Sequence, residues 1–349
     1  MGSIDSNTTI PILDFSLWSS PQSSTTTKQR LATDLVAAFQ HSGFVYLTNH
    51  GLAQPSLSTA FATSKRLFDL THEKKMLAPH PPGPEVHRGY SWPGLEKVSQ
   101  HLGTGDDKDG DRKVAERLRE VSDCKESFEI GSEANAAQPN VWVPEATLPG
   151  FREWGTVFYW ECYGVAMEIL KAVAVGLGVE EDEFVKYHSG LNCQLRLLHY
   201  PPLLAKDVEQ GRVARMPAHS DWSTITMLFQ DDCGGLEVED PSAPGTFVAA
   251  TPVAGACVVN VGDLLMRWSN DHLKSTLHRV SLPPLADRFV GAQRMTRARY
   301  SIPFFVSADP DALVDVLPAC TSEKNPAKYE PITQLEYGRM RSSVQYQKD

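Results

Sequence analysis

The chain has 349 residues, of which 41% are hydrophobic, 22% charged and 9% aromatic, with a formal charge of −10. That balance excludes a mainly disordered or collagen-like chain, and its acidity leaves no basic surface to neutralise phosphates, so no nucleic-acid partner is expected. The most apolar stretch, residues 164–178, is broken by Glu168 and Lys171 and falls short of the ~18 uninterrupted apolar residues of a membrane helix, so no membrane partner is expected.

In chain order, a polar tail over residues 1–9 comes first. It has no basic region followed by an apolar one, so no secretory leader is expected. Gly2 meets the loose acylation pattern, but Asp5 and the lack of a polybasic patch argue against an anchor. A short apolar strand over 10–15 follows, then a Ser/Thr tract over 19–27 expected as surface loop. Leu31, Leu35, Ala38 and Phe39 mark one face of a helix over 28–40, and 44–47 reads as a strand. A second helix is expected over 55–70. Residues 80–111 are rich in Pro, Gly and Asp. The run 105–111 fails as a calcium loop because Gly105 would stand where the first Asp ligand belongs. A long scaffold helix is expected over 150–178. The expected segments are thus 10–130, 131–190 around that helix, 191–310 and 311–349, in one compact unit.

After Asn192 the texture changes to short β-rich runs: Gln194–Tyr200, 224–229, 236–238, 246–250, Cys257–Val261, 275–280 and Arg299–Val306. Turn residues lie between them. Regular short strands of this kind predict a mainly β fold with flanking helices, built on a double-sheet jelly roll, a double-stranded β-helix. The six cysteines (124, 162, 193, 233, 257 and 320) are scattered, with no Cys-x-x-Cys pair, and read as reduced thiols of a cytoplasmic protein.

The chemistry is expected at His219, Asp221 and His278. On an extended strand His219 and Asp221 would project to one face, where a single cation can meet them. A His-x-Asp pair alone is weak, since chance supplies on the order of one in such a chain. His278, inside an apolar strand, supplies a third ligand. Two imidazoles and one carboxylate leave three adjacent octahedral positions free, which suits Fe(II) binding a bidentate co-substrate and O2. Taken by itself, His278 would read as a core histidine; Arg299 shifts that balance. Arg299 and Ser301 share a strand face, so a planar fork and a hydroxyl can grip one carboxylate. Arg-x-Ser recurs at 267, 279 and 341, but Arg279 must point away if His278 points in, and Arg341 lies in a charged C-terminal segment.

In this pattern the chain resembles the Fe(II)/2-oxoglutarate-dependent dioxygenases of the isopenicillin N synthase-like type. The motifs run from 10–15, Gly43-Phe44 with Asn49-His50-Gly51, His87-Arg88-Gly89-Tyr90 and 123–128 to Leu198-His199-Tyr200-Pro201, His219-x-Asp221 and Gly234-Gly235-Leu236. Asn260-Val261-Gly262-Asp263, His278-Arg279-Val280 and Arg299-x-Ser301 complete them. Residues 196–200 and 263–278 look most like fungal thymine 7-hydroxylases. The resemblance implies iron on His219, Asp221 and His278. It implies 2-oxoglutarate held at its distal carboxylate by Arg299, Ser301 and Tyr200, O2 as second co-substrate and ascorbate as a supporting reductant. It also implies release of succinate and CO2 with oxidation, usually hydroxylation, of a substrate C–H bond. Leu198 stands where many members have Asn, and the 21-residue interval from His278 to Arg299 is long, its excess over 283–296 expected as an extended hairpin loop.

Strand parity puts Gln194, Arg196 and Leu198 on the inward face with Tyr200. An inward guanidinium needs a partner, either an internal carboxylate or an oxygen of the substrate, and the substrate is the preferred expectation. Trp222 and Phe305 could sandwich a flat ring, although thymine hydroxylases have Tyr in place of Trp222. The expected substrate is therefore a small, planar molecule, such as a fungal specialised metabolite. A pyrimidine methyl group is the alternative, and a non-catalytic metal-dependent sensor is the alternative from another class. A zinc hydrolase would fit the ligands but leave Arg299 unexplained.

Overall fold

The computed structural model describes residues 10–83, 86–95 and 124–345. The polar tail with its Gly2 pattern, the 105–111 run and Asp123 lie outside the described residues.

The Ser/Thr tract is a loop only in part. Residues Ser16–Ser19 form one helical turn, and Ser24 caps the helix Thr25–His41, its Oγ accepting from the Thr27 amide at 3.1 Å. A Ser at the N-cap satisfies an otherwise orphaned amide, which is why the helix starts three residues before the expected residue 28. The second helix spans Gln54–Phe68, and the long scaffold helix spans Phe151–Gly176. Among the described residues no helix is long and apolar enough to cross a membrane.

In chain order the strands are β1 (Ile12–Asp14), β2 (Phe44–Thr48), β3 (Gly89–Ser91), β4 (Glu126–Ile130), β5 (Gln194–Tyr200), β6 (Met216–His219) and β7 (Ile225–Gln230). They continue with β8 (Leu236–Glu239), β9 (Phe247–Ala249), β10 (Cys257–Val261), β11 (His278–Val280), β12 (Phe289–Val290), β13 (Met295–Thr296) and β14 (Arg299–Val306). The larger sheet runs β1-β2-β10-β7-β14-β5-β4-β3 and the smaller one β6-β11-β8-β9. With helices over the larger sheet, this is the expected jelly roll. The expected hairpin within 283–296 is β12 paired antiparallel with β13.

Alternation along the strands divides the molecule. Ile302, Phe304 and Val306 of β14, Leu195 and Leu197 of β5, and Ile225, Met227 and Phe229 of β7 are buried in one core with Leu35, Phe39, Phe158 and Leu170 of the helices. Each such side chain contributes about 1.5–3 kcal/mol on burial, so this outer layer carries the stability. Residues of opposite parity (Arg299, Ser301 and Phe305 on β14; Arg196, Leu198 and Tyr200 on β5) face a cavity between the two sheets.

Two site-bearing strands carry no clear sequence signal. β6 contains Pro217, which argues against a strand, but it is an edge strand, where a missing amide is tolerated. β4 carries Glu126 and Glu129, both buried, which hides its apolar alternation. Lys75 Nζ (2.6 Å), Tyr90 Oη (2.6 Å) and His199 Nδ1 (2.7 Å) surround Glu126. The expected strand 275–280 shortens to β11, because Ser275 turns its hydroxyl to Asp263 at 2.7 Å.

Gly262 joins β10 to the helix Asp263–Trp268, and a Cβ there would lie 2.0 Å from the carbonyl oxygen of Ser223 in the turn that follows β6. The Gly262→Ala substitution should therefore destabilise the fold by about 1–3 kcal/mol, the range for overpacking, measured by denaturant unfolding. Wild-type stability in this variant would show that the turn yields freely.

Candidate active site

β6 ends at His219, and Asp221 sits in the turn just beyond it, so the two side chains do not meet as same-face neighbours of one strand. They meet because the turn folds Asp221 back. β11 lies antiparallel to β6 with His278 opposite His219, and the two rings are 4.3 Å apart between centroids. His219 Nε2 is 3.9 Å and His278 Nε2 3.7 Å from Asp221 Oδ1, and the three prospective ligand atoms all lie within 4.8 Å of one another.

Each ligand is oriented from behind. His219 Nδ1 faces the Pro217 carbonyl at 2.9 Å and His278 Nδ1 the Thr276 carbonyl at 3.3 Å. A carbonyl only accepts, so Nδ1 carries the proton and the Nε2 lone pair faces the centre. Asp221 Oδ2 accepts from Thr226 Oγ1 (2.6 Å) and Asn260 Nδ2 (2.8 Å), which leaves Oδ1 toward the imidazoles. Burial, and then the neighbouring His278, pull His219 down to about 4. Burial opposes ionisation of Asp221, but His278, His219 and the bonds from Thr226 and Asn260 hold its carboxyl below the ordinary value. Two imidazoles and one carboxylate are a donor set that fits Fe(II).

Deeper in the same cavity, Arg299 is 1% exposed. Its Nη1 donates to Ser301 Oγ at 3.0 Å and its Nη2 to Gln230 Oε1 at 3.3 Å. Among the described residues its Nε has no hydrogen-bond partner. A buried guanidinium left like this costs several kcal/mol unless an anion reaches it, so the residues fit a carboxylate such as that of 2-oxoglutarate. Tyr200 pairs with Arg299 across β5 and β14, and its ring lies 5.0 Å beneath the guanidinium. Leu198 stands opposite Ser301. Arg215, which sequence reasoning passed over, is fully buried, with its guanidinium 5.6 Å from the centroid of the same Tyr200 ring. Arg279 points away, as strand parity requires, and pairs with Glu237 at 2.6 Å.

On the open side the cavity is lined by Arg196, Trp222 and Phe305, with Gln194, His87 and Ser307. The Arg196 guanidinium lies 5.7 Å from the Phe305 ring centroid. Its partner differs from the preferred expectation of a substrate oxygen: Arg196 Nε meets Glu129 Oε1 at 3.1 Å, and Glu129 is also held by Ser127 (2.6 Å) and Ser91 (3.3 Å). The reason is register, since β4 pairs with β5 and sets Glu129 directly opposite Arg196. Sequence reasoning missed Glu129, Thr226 and Gln230 as supporting residues. The two glutamates spaced three apart in β4 were the available signal for the first.

Residues 10–145 match the model of the non-haem dioxygenase N-terminal family described from morphine synthesis, and residues 191–308 match that of the 2OG-Fe(II) oxygenase superfamily. A proline hydroxylase of Petromyces alliaceus is 38% identical over 312 residues, covering 88% of this chain and 91% of that protein. A 2-oxoglutarate-dependent dioxygenase of Dothideomycetidae sp. is 36% identical, covering 95% of each. The crystal structure of Neurospora crassa thymine 7-hydroxylase with α-ketoglutarate and thymine superposes with a TM-score of 0.84 at 34% identity, over 99% of each chain.

Replacing His219, Asp221 or His278 by Ala should abolish tight Fe(II) binding while the far-ultraviolet circular dichroism stays that of the wild type. Asn260→Ala should weaken binding about 10-fold by freeing the Asp221 carboxylate. Near-normal iron content in any of the three ligand variants would remove that residue from the site. For the co-substrate, Arg299→Lys keeps the charge but loses the fork. Its 2-oxoglutarate affinity should fall by about 1.5–3 kcal/mol, the worth of a charge-assisted hydrogen bond. Ser301→Ala should cost less, and an unchanged affinity in Arg299→Lys would put the carboxylate elsewhere.

Proposed function

The chain belongs to the 2OG-Fe(II) oxygenase superfamily, and on that premise we propose that His219, Asp221 and His278 hold its iron, Arg299, Ser301 and Tyr200 its co-substrate, and Arg196, Trp222 and Phe305 its substrate. It is an Fe(II)- and 2-oxoglutarate-dependent dioxygenase of small organic molecules. Bound Fe(II) supplies the redox chemistry that couples O2 and decarboxylation of 2-oxoglutarate to oxidation of a C–H bond. The observation that carries the residue assignment is a buried, anion-seeking Arg299 in the same ≈ 210 Å³ cavity as three converging ligand atoms.

Each group then has one task. Arg299 and Ser301 receive the distal carboxylate and so fix the direction in which 2-oxoglutarate reaches the metal. Leu198, facing Ser301, offers that carboxylate no further donor. Trp222 and Phe305 flank a planar substrate, while Arg196, held by Glu129, lines the same wall of the cavity. Because Glu129 balances the charge of Arg196, this wall suits a neutral acceptor better than a carboxylate.

A small planar specialised metabolite is the reading favoured here, supported by the fungal relatives. Thymine is the second, supported by the neighbouring structure that holds it. We place the enzyme in the cytoplasm, a reading supported by six cysteines that form no disulfide.

The test is to incubate the purified protein with Fe(II), ascorbate and 2-oxoglutarate, with and without thymine, and to assay succinate. Succinate should form even without substrate and depend on Arg299. A rise with thymine, together with a hydroxymethyl product, would favour the second reading over the first. Binding of 2-oxoglutarate with no succinate under any condition would make the protein a sensor and refute catalysis.

A further inference from the structure

Arg341 lies in the C-terminal helix Gln334–Gln345, in a segment that composition alone marks as charged surface. Its side chain is nevertheless only 11% exposed, and its Nη1 meets Asp263 Oδ2 at 2.8 Å. Nη2 donates to Ser220 Oγ at 3.3 Å, and the guanidinium lies 5.6 Å from the Trp222 ring centroid. Ser220 separates His219 from Asp221, so one arginine touches the metal turn at its middle and its far end.

Asp263 is the other half of the contact. It is buried, and Tyr337 of the same C-terminal helix donates to its Oδ2 at 2.8 Å. Ser275, three residues before His278, donates to Asp263 Oδ1 at 2.7 Å, and the Asp263 amide donates to the Asp221 carbonyl at 2.8 Å. The C-terminal helix is therefore bonded to the turn of Asp221 directly through Arg341 and indirectly through Asp263. An exposed ion pair contributes about 0–1 kcal/mol and fixes little. A buried one in which both prongs of the guanidinium are engaged fixes geometry.

We propose that Arg341 is a positioning residue of the active site, holding the turn 219–222 so that Asp221 Oδ1 faces the metal and Trp222 faces the substrate. The proposal rests on the reading of His219, Asp221 and His278 as metal ligands. It makes the C-terminal helix part of the site although, among its described residues, none lines the cavity.

The experiment uses the full chain, with Co(II) as the metal probe in equilibrium dialysis. Acrylamide quenching reports on Trp222, whose signal is isolated by comparison with Trp222→Phe, and Tm reports on helix docking. Arg341→Lys retains a cation for Asp263 but cannot also reach Ser220. Its Co(II) affinity should fall roughly 10-fold, with altered Trp222 quenching and little change in Tm. Arg341→Met should do both more strongly, and if it fails to fold, Arg341→Lys decides alone. A lowered Tm with wild-type Co(II) affinity and wild-type Trp222 quenching would make Arg341 a helix anchor only and overturn the proposal. So would wild-type behaviour in every measurement. A wild-type protein that binds no Co(II) would sink the ligand reading instead, and Trp222 quenching would then decide the positioning role.

Discussion

The site depends on how one carboxylate divides its two oxygens. Asp221 spends Oδ2 on Thr226 and Asn260, which fixes Oδ1 toward His219 and His278. Without those two donors the carboxylate could rotate, and three convergent ligand atoms would become two imidazoles beside an unfixed carboxylate. Both donors come from the larger sheet, Thr226 from β7 and Asn260 from β10, whereas the histidines belong to the smaller one. The carboxylate thus ties the two layers of the jelly roll together at the point where the chemistry is proposed.

That arrangement is affordable because strand alternation separates stability from function. The outer face of the larger sheet packs against the helices in an apolar core, and the inner face is free to carry Arg299, Ser301, Tyr200 and Arg196. A buried guanidinium would be a defect in a core. Facing a cavity, it fits the binding role proposed for it, since an arriving carboxylate would relieve its desolvation. Arg196 shows the other solution to the same problem, since Glu129 already neutralises it.

Much of this was legible in the sequence. Short apolar strands with turn residues pointed to the jelly roll, the parity of β5 predicted which of its side chains enter the cavity, and Arg279 pointed outward as its neighbour His278 required. Legibility failed where tertiary context overrides a local rule. Pro217 concealed β6 because the tolerance of an edge strand appears only once the sheet is assembled. Glu126 and Glu129 concealed β4 because their neutralising partners come from distant segments. The Arg196–Glu129 pair is a matter of register between two strands, and Arg341 reaches the metal turn only through folding of the C-terminal helix. Composition describes such a helix as charged surface; it does not say which charge turns inward.

The most direct measurement is a crystal structure of the protein with Mn(II), a redox-silent substitute for iron, and 2-oxoglutarate under anaerobic conditions. The account predicts one ion bound by His219 Nε2, His278 Nε2 and Asp221 Oδ1, chelated by the 2-oxo acid, with the distal carboxylate on Arg299 and Ser301. An ion held by other residues, or a distal carboxylate directed away from Arg299, would contradict it.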